Sequence, residues 1–148
     1  MQNHTILVAE DNDDDTFFLR RALEKSGVQA DLQIVADGEQ AIAYLHAEGE
    51  YSNRQKFPFP CLVLLDIKMP KMNGFEVLDA IRRDHNLRRL VVVFLTSSDQ
   101  VRDINLAADL AVNSYLVKAP DLDFLSQLLR RLEEYWLSLH KRATIFPQ

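Results

Sequence analysis

Five short apolar segments alternate along the chain with segments whose apolar residues recur at helical spacing, and this alternation constrains the fold more than any other feature. Three of the apolar segments are unbroken, as is typical of strands that helices cover on both faces. The alternation predicts an α/β fold with a doubly wound, five-stranded parallel sheet. The predicted strands are Thr5–Ala9, Leu32–Val35, Cys61–Leu65, Leu90–Leu95 and Ser114–Val117.

Residues that favour helix ends bound several of the predicted helices. Asn12 or Asp13 can cap the first helix, and Gly27 can end it. Asn73 can cap the third helix and Asp121 the last. The predicted helices span Asp14–Lys25, Gly38–Ala47, Gly74–Asp84, Asp99–Ala108 and Asp121 to about Leu139.

The last predicted helix is longer than a short sheet requires, and it carries one apolar stripe along its length. A tail of residues 140–148 follows, with apolar side chains at Ile145 and Phe146. We expect this end of the chain to form a dimer contact. The stripe consists of Leu125, Leu128, Leu129, Leu132, Trp136 and Leu139.

Length and composition exclude several classes of protein. The chain has 148 residues, so we expect residues 1–148 to form one domain. Its 17 basic and 22 acidic residues give a net charge of -5 without a basic stripe, which argues against nucleic-acid binding. The one cysteine, Cys61, lies in an apolar run and is expected to be buried. No apolar run is long enough to span a membrane, so the expected compartment is the cytoplasm.

Polar side chains follow four of the five predicted strands at the point where each strand ends. Glu10 and Asp11 follow the first strand and Asp66 the third. Thr96 follows the fourth strand and Lys118 the fifth. Because ligands bind beyond the carboxyl ends of the strands in open parallel sheets, we expect these side chains to converge on one edge.

Three carboxylates at one edge need compensating positive charge. Two carboxylates about 4 Å apart repel by roughly 4 kcal/mol at an effective dielectric constant near 20, so a hard divalent cation such as Mg²⁺ is expected. With Lys118 and Thr96 beside the metal, Asp66 could attack a phosphoryl group and form an aspartyl phosphate. The acidic run Asp13–Asp15 is assigned to the start of the first helix, where carboxylates favour the helix dipole.

Four motifs together resemble the receiver domains of two-component response regulators. They are ILVAEDN, LVLLDIKMPKMNGFEVL, VVFLTSSD and NSYLVKAP, and the resemblance covers nearly the whole chain. It implies a flavodoxin-like fold with strand order 2-1-3-4-5. One position departs from the family, which usually has a proline directly after the lysine, whereas Ala119 separates Lys118 from Pro120 here.

The resemblance implies how the acidic residues act. Asp66 would accept a phosphoryl group from a sensor histidine kinase. Asp11, Asp66 and the backbone carbonyl of Lys68 would bind Mg²⁺ directly, and Glu10 would act mainly through water.

The resemblance also implies a switch. Thr96 and Lys118 would stabilise the phosphoryl group, and Tyr115 would turn inward when the Thr96 hydroxyl moves. The changed surface would bind a downstream protein target, so the protein is expected to signal rather than to act as an enzyme.

Two further segments resemble the single-domain regulators that pair with phytochrome kinases in cyanobacteria and other bacteria. They are the connection Gly49–Pro60, whose prolines exclude a central strand, and the segment Glu134–Leu139. This resemblance implies a light-sensing kinase partner and a homodimer formed through the C-terminal helix region.

Three other interpretations stay open. A receiver-like module could associate with partners without being phosphorylated. A phosphatase with an aspartate nucleophile, similar to the haloacid dehalogenase-like enzymes, would need a second acid two residues after Asp66, where Lys68 stands. A flavin-binding module of flavodoxin type is disfavoured because the turn AEDNDDD is acidic where a phosphate group needs backbone amides.

Overall fold

A computed structural model describes residues 4–145, and five strands form one parallel sheet. The strands are β1 (His4–Ala9), β2 (Ala30–Val35), β3 (Leu62–Leu65), β4 (Val91–Thr96) and β5 (Ser114–Val117). Their order in the sheet is β2-β1-β3-β4-β5, which confirms the predicted doubly wound, flavodoxin-like topology. The order reverses beside β1, so the carboxyl ends of β1 and β3 flank the position where such sheets bind ligands.

The α-helices begin and end close to the residues that the sequence predicts. They are α1 (Asp13–Ser26), α2 (Gly38–Leu45), α3 (Gly74–Arg83), α4 (Val101–Asp109) and α5 (Leu122–Leu132). Asn12 caps α1 by accepting a hydrogen bond from the Asp15 N–H, and Gly27 ends the helix at φ 74°. Asn73 and Glu76 bind each other's backbone N–H groups at the start of α3. None of the helices within residues 4–145 is both long and apolar enough to cross a membrane.

The core consists of two apolar layers, one on each face of the sheet. Successive residues of a strand point to opposite faces, so Leu62 and Leu64 of β3 pack in one layer and Val63 and Leu65 in the other. All four side chains are buried, as expected for a central strand that helices cover on both faces. Helices α1 and α5 cover the first layer, and α2 and α3 cover the second.

The C-terminal helix changes its geometry after Leu132. Glu133–Leu139 form a π-helical segment, in which backbone hydrogen bonds reach back five residues instead of four. The wider turn buries Leu137, which is 6% exposed, whereas Leu139 is 70% exposed. Helical backbone therefore reaches Leu139 as predicted, but the predicted apolar stripe does not continue to that residue.

Aromatic packing orders the connection between α2 and β3. A 3₁₀ turn at Gly49–Ser52 brings the Tyr51 ring against Tyr44 and Phe57, with centroids 5.2 Å apart in each pair. The Tyr44 hydroxyl donates a hydrogen bond to the Pro58 carbonyl at 2.7 Å. Burial raises the pKa of Tyr44 to about 12, so the hydroxyl keeps its proton at neutral pH. The connection contains no strand, as predicted, but it is packed against the core.

The cysteine lies just before β3. Cys61 is half-buried rather than fully buried, and its Sγ donates a hydrogen bond to the Thr5 carbonyl at 3.3 Å. Burial raises the pKa of the thiol, which keeps it protonated and poorly nucleophilic. The side chain thus serves as packing at the edge of the core.

Candidate functional site

The carboxyl ends of β1 and β3 bring three carboxylates together. One oxygen from each of Glu10, Asp11 and Asp66 lies within 4.8 Å of the others. Glu10 is only 7% exposed, whereas Asp11 is exposed. The arrangement follows from the parallel register, in which Ala9 lies beside Leu65 and both strands end at the same level. An acidic cluster of Glu10, Asp11 and Asp66 therefore lies at the predicted edge of the sheet.

Lys118, which follows β5, places its ammonium group in the acidic cluster. Its Nζ donates hydrogen bonds to three carboxylates, those of Glu10, Asp66 (3.1 Å) and Asp15 (2.7 Å). An ammonium group has three donors, so carboxylates occupy all of them. The contact with Asp15 was not predicted, because the sequence assigned this residue only to the helix start. The available signal was its place in the first turn of α1, which begins at this edge of the sheet.

Burial and neighbouring charges shift the pKa values of Glu10 and Lys118. Burial raises the pKa of Glu10 to about 7, and the hydrogen bond from Lys118 offsets only part of this effect. The nearby charge of Asp66 contributes to this rise. For Lys118, burial favours the neutral amine, but the hydrogen bonds to Asp15 and Glu10 outweigh it and raise the pKa. Lys118 therefore stays charged, while Glu10 exchanges a proton near neutral pH.

We expect the metal-free protein to lose stability as the pH rises through about 7. The folded state keeps the proton on Glu10 at pH values where the unfolded state, with a carboxyl pKa of 4.5, has released it. The contribution of this proton to the free energy of unfolding is fully present below pH 4.5 and is lost by the time the pH has risen above about 7. The loss is at most about 3 kcal/mol.

Urea unfolding in the presence of EDTA, at about pH 5.5 and about pH 8, measures the part of this loss that falls above pH 5.5, about 2 kcal/mol. The Glu10→Gln variant keeps the shape of the side chain but cannot titrate, so its free energy of unfolding should change less between the two conditions. The same change in both proteins would contradict the assignment to Glu10.

Two neighbouring groups hold the Asp66 side chain. Its Oδ1 accepts a hydrogen bond from the Ile67 N–H at 2.7 Å, and its Oδ2 accepts one from Lys118. The Asp66 N–H donates to the Ala9 carbonyl at 3.1 Å, which continues the pairing of β3 with β1. Gly74, the first residue of α3, donates from its N–H to the Ile67 carbonyl at 2.8 Å. The start of α3 is thus packed against the backbone that carries Asp66.

Thr96 and Tyr115 both contact the loop that follows β4. Thr96 ends the strand, is buried, and accepts a hydrogen bond from the Ser98 N–H at 3.4 Å. The Tyr115 hydroxyl donates to the Ser98 carbonyl at 2.8 Å. The Tyr115 ring stands edge-on to Phe94, with a centroid distance of 5.9 Å. Ser98 therefore links the two predicted switch residues.

Lys68 is exposed in the loop after β3. Together with Asp11 and Phe75 it lines an open cleft of about 510 Å³. The metal-binding role of the Lys68 carbonyl stays a prediction.

Comparisons with known proteins show which proteins the chain resembles. The response regulator receiver domain family matches residues 6–130 of the chain. Response regulator Rcp1 of Synechocystis sp. is 38% identical over 132 residues, which cover 89% of this chain and 88% of Rcp1. A structure of Rcp1 in its Mn²⁺-bound form superposes with a TM-score of 0.81 at 35% identity, over 95% of this chain and 99% of that one.

Two other solved structures are similar over nearly the whole chain. The phosphorylated cyanobacterial phytochrome response regulator RcpA is 39% identical, with a TM-score of 0.86 over 97% of this chain and 100% of RcpA. Response regulator RPA3017, which acts in red light signaling of R. palustris, is 34% identical, with a TM-score of 0.90 over 95% of this chain and 99% of RPA3017. The chain therefore belongs to the response regulator receiver domain family.

Proposed function

We propose that the protein accepts a phosphoryl group on Asp66 from a sensor histidine kinase and signals by binding a downstream protein. The observation that carries the proposal is the acidic cluster, with Lys118 donating a hydrogen bond to Asp66. Such a cluster supplies the nucleophile and the charged groups that phosphoryl transfer needs. The protein is then a substrate of its kinase and a signalling protein, with residues 1–148 forming one receiver domain.

Asp66 is the nucleophile in this proposal. One of its carboxylate oxygens forms a bond to phosphorus while the bond from phosphorus to the donor breaks, and the electron pair leaves with the donor. Lys118 and the Thr96 hydroxyl stabilise the negative charge of the transferred group.

Mg²⁺ fits the chemistry of the acidic cluster. Hard divalent cations prefer oxygen ligands and are often held by one or two carboxylates together with water. Asp11, Asp66 and the backbone carbonyl of Lys68 would hold the ion directly, with Glu10 acting mainly through water. When bound, the ion would neutralise charge on the phosphoryl group. The balance of charges supports this assignment, because the three carboxylates of the acidic cluster have only the Lys118 ammonium group to offset their repulsion within residues 4–145.

The signal would pass through Ser98. When the phosphoryl group draws the Thr96 hydroxyl towards it, the loop after β4 moves, and the Tyr115 hydroxyl loses its partner at the Ser98 carbonyl. Tyr115 then turns inward, and the face formed by α4, β5 and α5 repacks into a surface that binds the downstream protein.

The proposed kinase partner is a phytochrome. The proposed compartment of this protein is the cytoplasm. RcpA is a phytochrome response regulator and RPA3017 acts in red light signaling. The similarity to both extends over at least 95% of this chain. The connection Gly49–Pro60 and the segment Glu134–Leu139 are the segments that the sequence singled out for the same resemblance.

The proposed function is tested by the intact mass of the protein after incubation with acetyl phosphate, with and without Mg²⁺. We expect a single phosphoryl adduct that forms only with the metal, and faster labelling when a phosphorylated phytochrome kinase replaces acetyl phosphate. The absence of any adduct would favour a module that associates without phosphorylation. Steady release of phosphate from a chromogenic ester would favour the phosphatase interpretation.

We expect the protein to form a homodimer through the C-terminal helix region. Tyr135 and Leu139 are exposed on the π-helical segment, and contact with a second copy would remove them from water. Ile145 packs against the core instead, and Phe146 lies outside the described residues. In sedimentation equilibrium Leu139→Ser should weaken the dimer by about tenfold, whereas Phe17→Ser, at an exposed position of α1, should not. A wild-type protein that stays monomeric at high concentration, phosphorylated or not, would contradict this expectation.

A further inference from the structure

We infer that Asp15 is a positioning residue that holds the Lys118 ammonium group in the unphosphorylated protein and competes with the phosphoryl group for it. The inference rests on the proposed function of Asp66. Asp15 is not a member of the acidic cluster, which within residues 4–145 consists of Glu10, Asp11 and Asp66.

The contact geometry identifies Asp15 as a competitor. Lys118 Nζ lies 2.7 Å from Asp15 Oδ2 but 3.1 Å from Asp66 Oδ2. The remaining donor of the ammonium group binds Glu10, so none is left for a new acceptor. A phosphoryl group on Asp66 adds oxygen acceptors. Lys118 can donate a hydrogen bond to them only if it weakens one of these three contacts.

Burial determines which contact gives way. Glu10 is enclosed beside β1, while the Asp15 side chain is 45% exposed, so Asp15 regains hydration when it releases the ammonium group. A cavity of about 60 Å³ adjoins both Asp15 and Lys118, with Ala119 and Leu95 in its wall. It has room for a few water molecules, so Lys118 has unfilled space beside it.

Asp14 provides a matched control. It lies beside Asp15 in the first turn of α1 and is exposed, so Asp14→Asn removes the same charge from the same helix end. Among residues 4–145 the ion-pair partners of Lys118 are Glu10, Asp15 and Asp66, so Asp14 is not one of them. The Asp15→Asn change leaves the helix cap intact. Asn12 accepts its capping hydrogen bond from the backbone N–H of Asp15, and the substitution changes only the side chain.

The experiment titrates fluoroberyllate, a mimic of the phosphoryl group, into the full chain at saturating Mg²⁺ and follows bound fluoride by ¹⁹F NMR. For Asp15→Asn we expect the half-saturating concentration to fall about threefold relative to the wild type, as the loss of one partly exposed ion pair predicts. For Asp14→Asn we expect a much smaller change. Asp15→Ser tests the same loss if the asparagine variant does not fold.

The outcomes separate the inference from the proposed function. Tight binding by the wild type with equal affinities for Asp15→Asn and Asp14→Asn would overturn the inference alone. Weaker binding by Asp15→Asn would overturn it as well, because Asp15 would then be helping Lys118 to reach the ligand. No binding by the wild type, together with no phosphoryl adduct from acetyl phosphate, would overturn both.

Discussion

The Asp66→Asn protein is expected to gain no phosphoryl group from acetyl phosphate and Mg²⁺ under conditions in which the wild type is labelled. The amide lacks the nucleophilic carboxylate oxygen and contributes no negative charge to the metal site. The neighbouring Glu10 is buried and forms an ion pair with Lys118, so it cannot replace Asp66 as the phosphoryl acceptor. Intact mass spectrometry of the two proteins side by side measures the loss.

The loss should not arise from unfolding. Asparagine keeps an oxygen that can accept the Ile67 N–H bond, and Lys118 keeps its contacts with Glu10 and Asp15. Removing the Asp66 charge also removes its repulsion of Glu10, so the free energy of unfolding should stay the same or rise.

The matched control is Asp79→Asn, which removes a charge from the exposed side of α3, where Asp79 pairs with Arg83. This variant should be labelled like the wild type. A phosphoryl adduct of normal yield on Asp66→Asn would contradict the proposed acceptor.

Gly74→Ala is expected to destabilise the protein by about 3 kcal/mol, the upper end of the usual cost of overpacking. A Cβ at this position would lie 2.9 Å from the Ile67 Cα and closer still to the Asp66 carbonyl oxygen. Both atoms belong to the backbone, which is held by hydrogen bonds and cannot rotate away as a side chain could. Relief of the clash would move the backbone of Asp66, so phosphoryl labelling should fall as well.

Gly49→Ala is the control that separates crowding from backbone conformation. Gly49 has φ +58°, but a Cβ there would meet nothing within 4 Å. Its substitution should cost only the strain of the left-handed conformation, about 1 kcal/mol. Urea unfolding of both variants measures the difference. Equal losses of stability would mean that the close contact between α3 and the end of β3 is not what requires Gly74.

Several features of the fold and site could be predicted from the sequence, because they depend on local patterns. Unbroken apolar runs between helical patterns are typical of a parallel sheet covered on both faces, and Leu62–Leu65 is such a strand. In such a sheet the strands end at a common edge. The convergence of Glu10, Asp11 and Asp66 then follows from the position of each residue relative to its strand.

Other features depend on contacts between distant segments, and only the tertiary structure decided them. Asp15 and Lys118 are 103 positions apart, and their ion pair forms because the fold brings the Lys118 side chain, after β5, to the first turn of α1. Leu137 is buried in place of Leu139 because the π-helical segment widens the helical turn, a change that the apolar spacing alone did not reveal. The residue types along the chain thus determined the sheet and the charges at its edge. The packing of the helices determined which carboxylates Lys118 contacts, because side-chain partners depend on distances that a linear pattern does not contain.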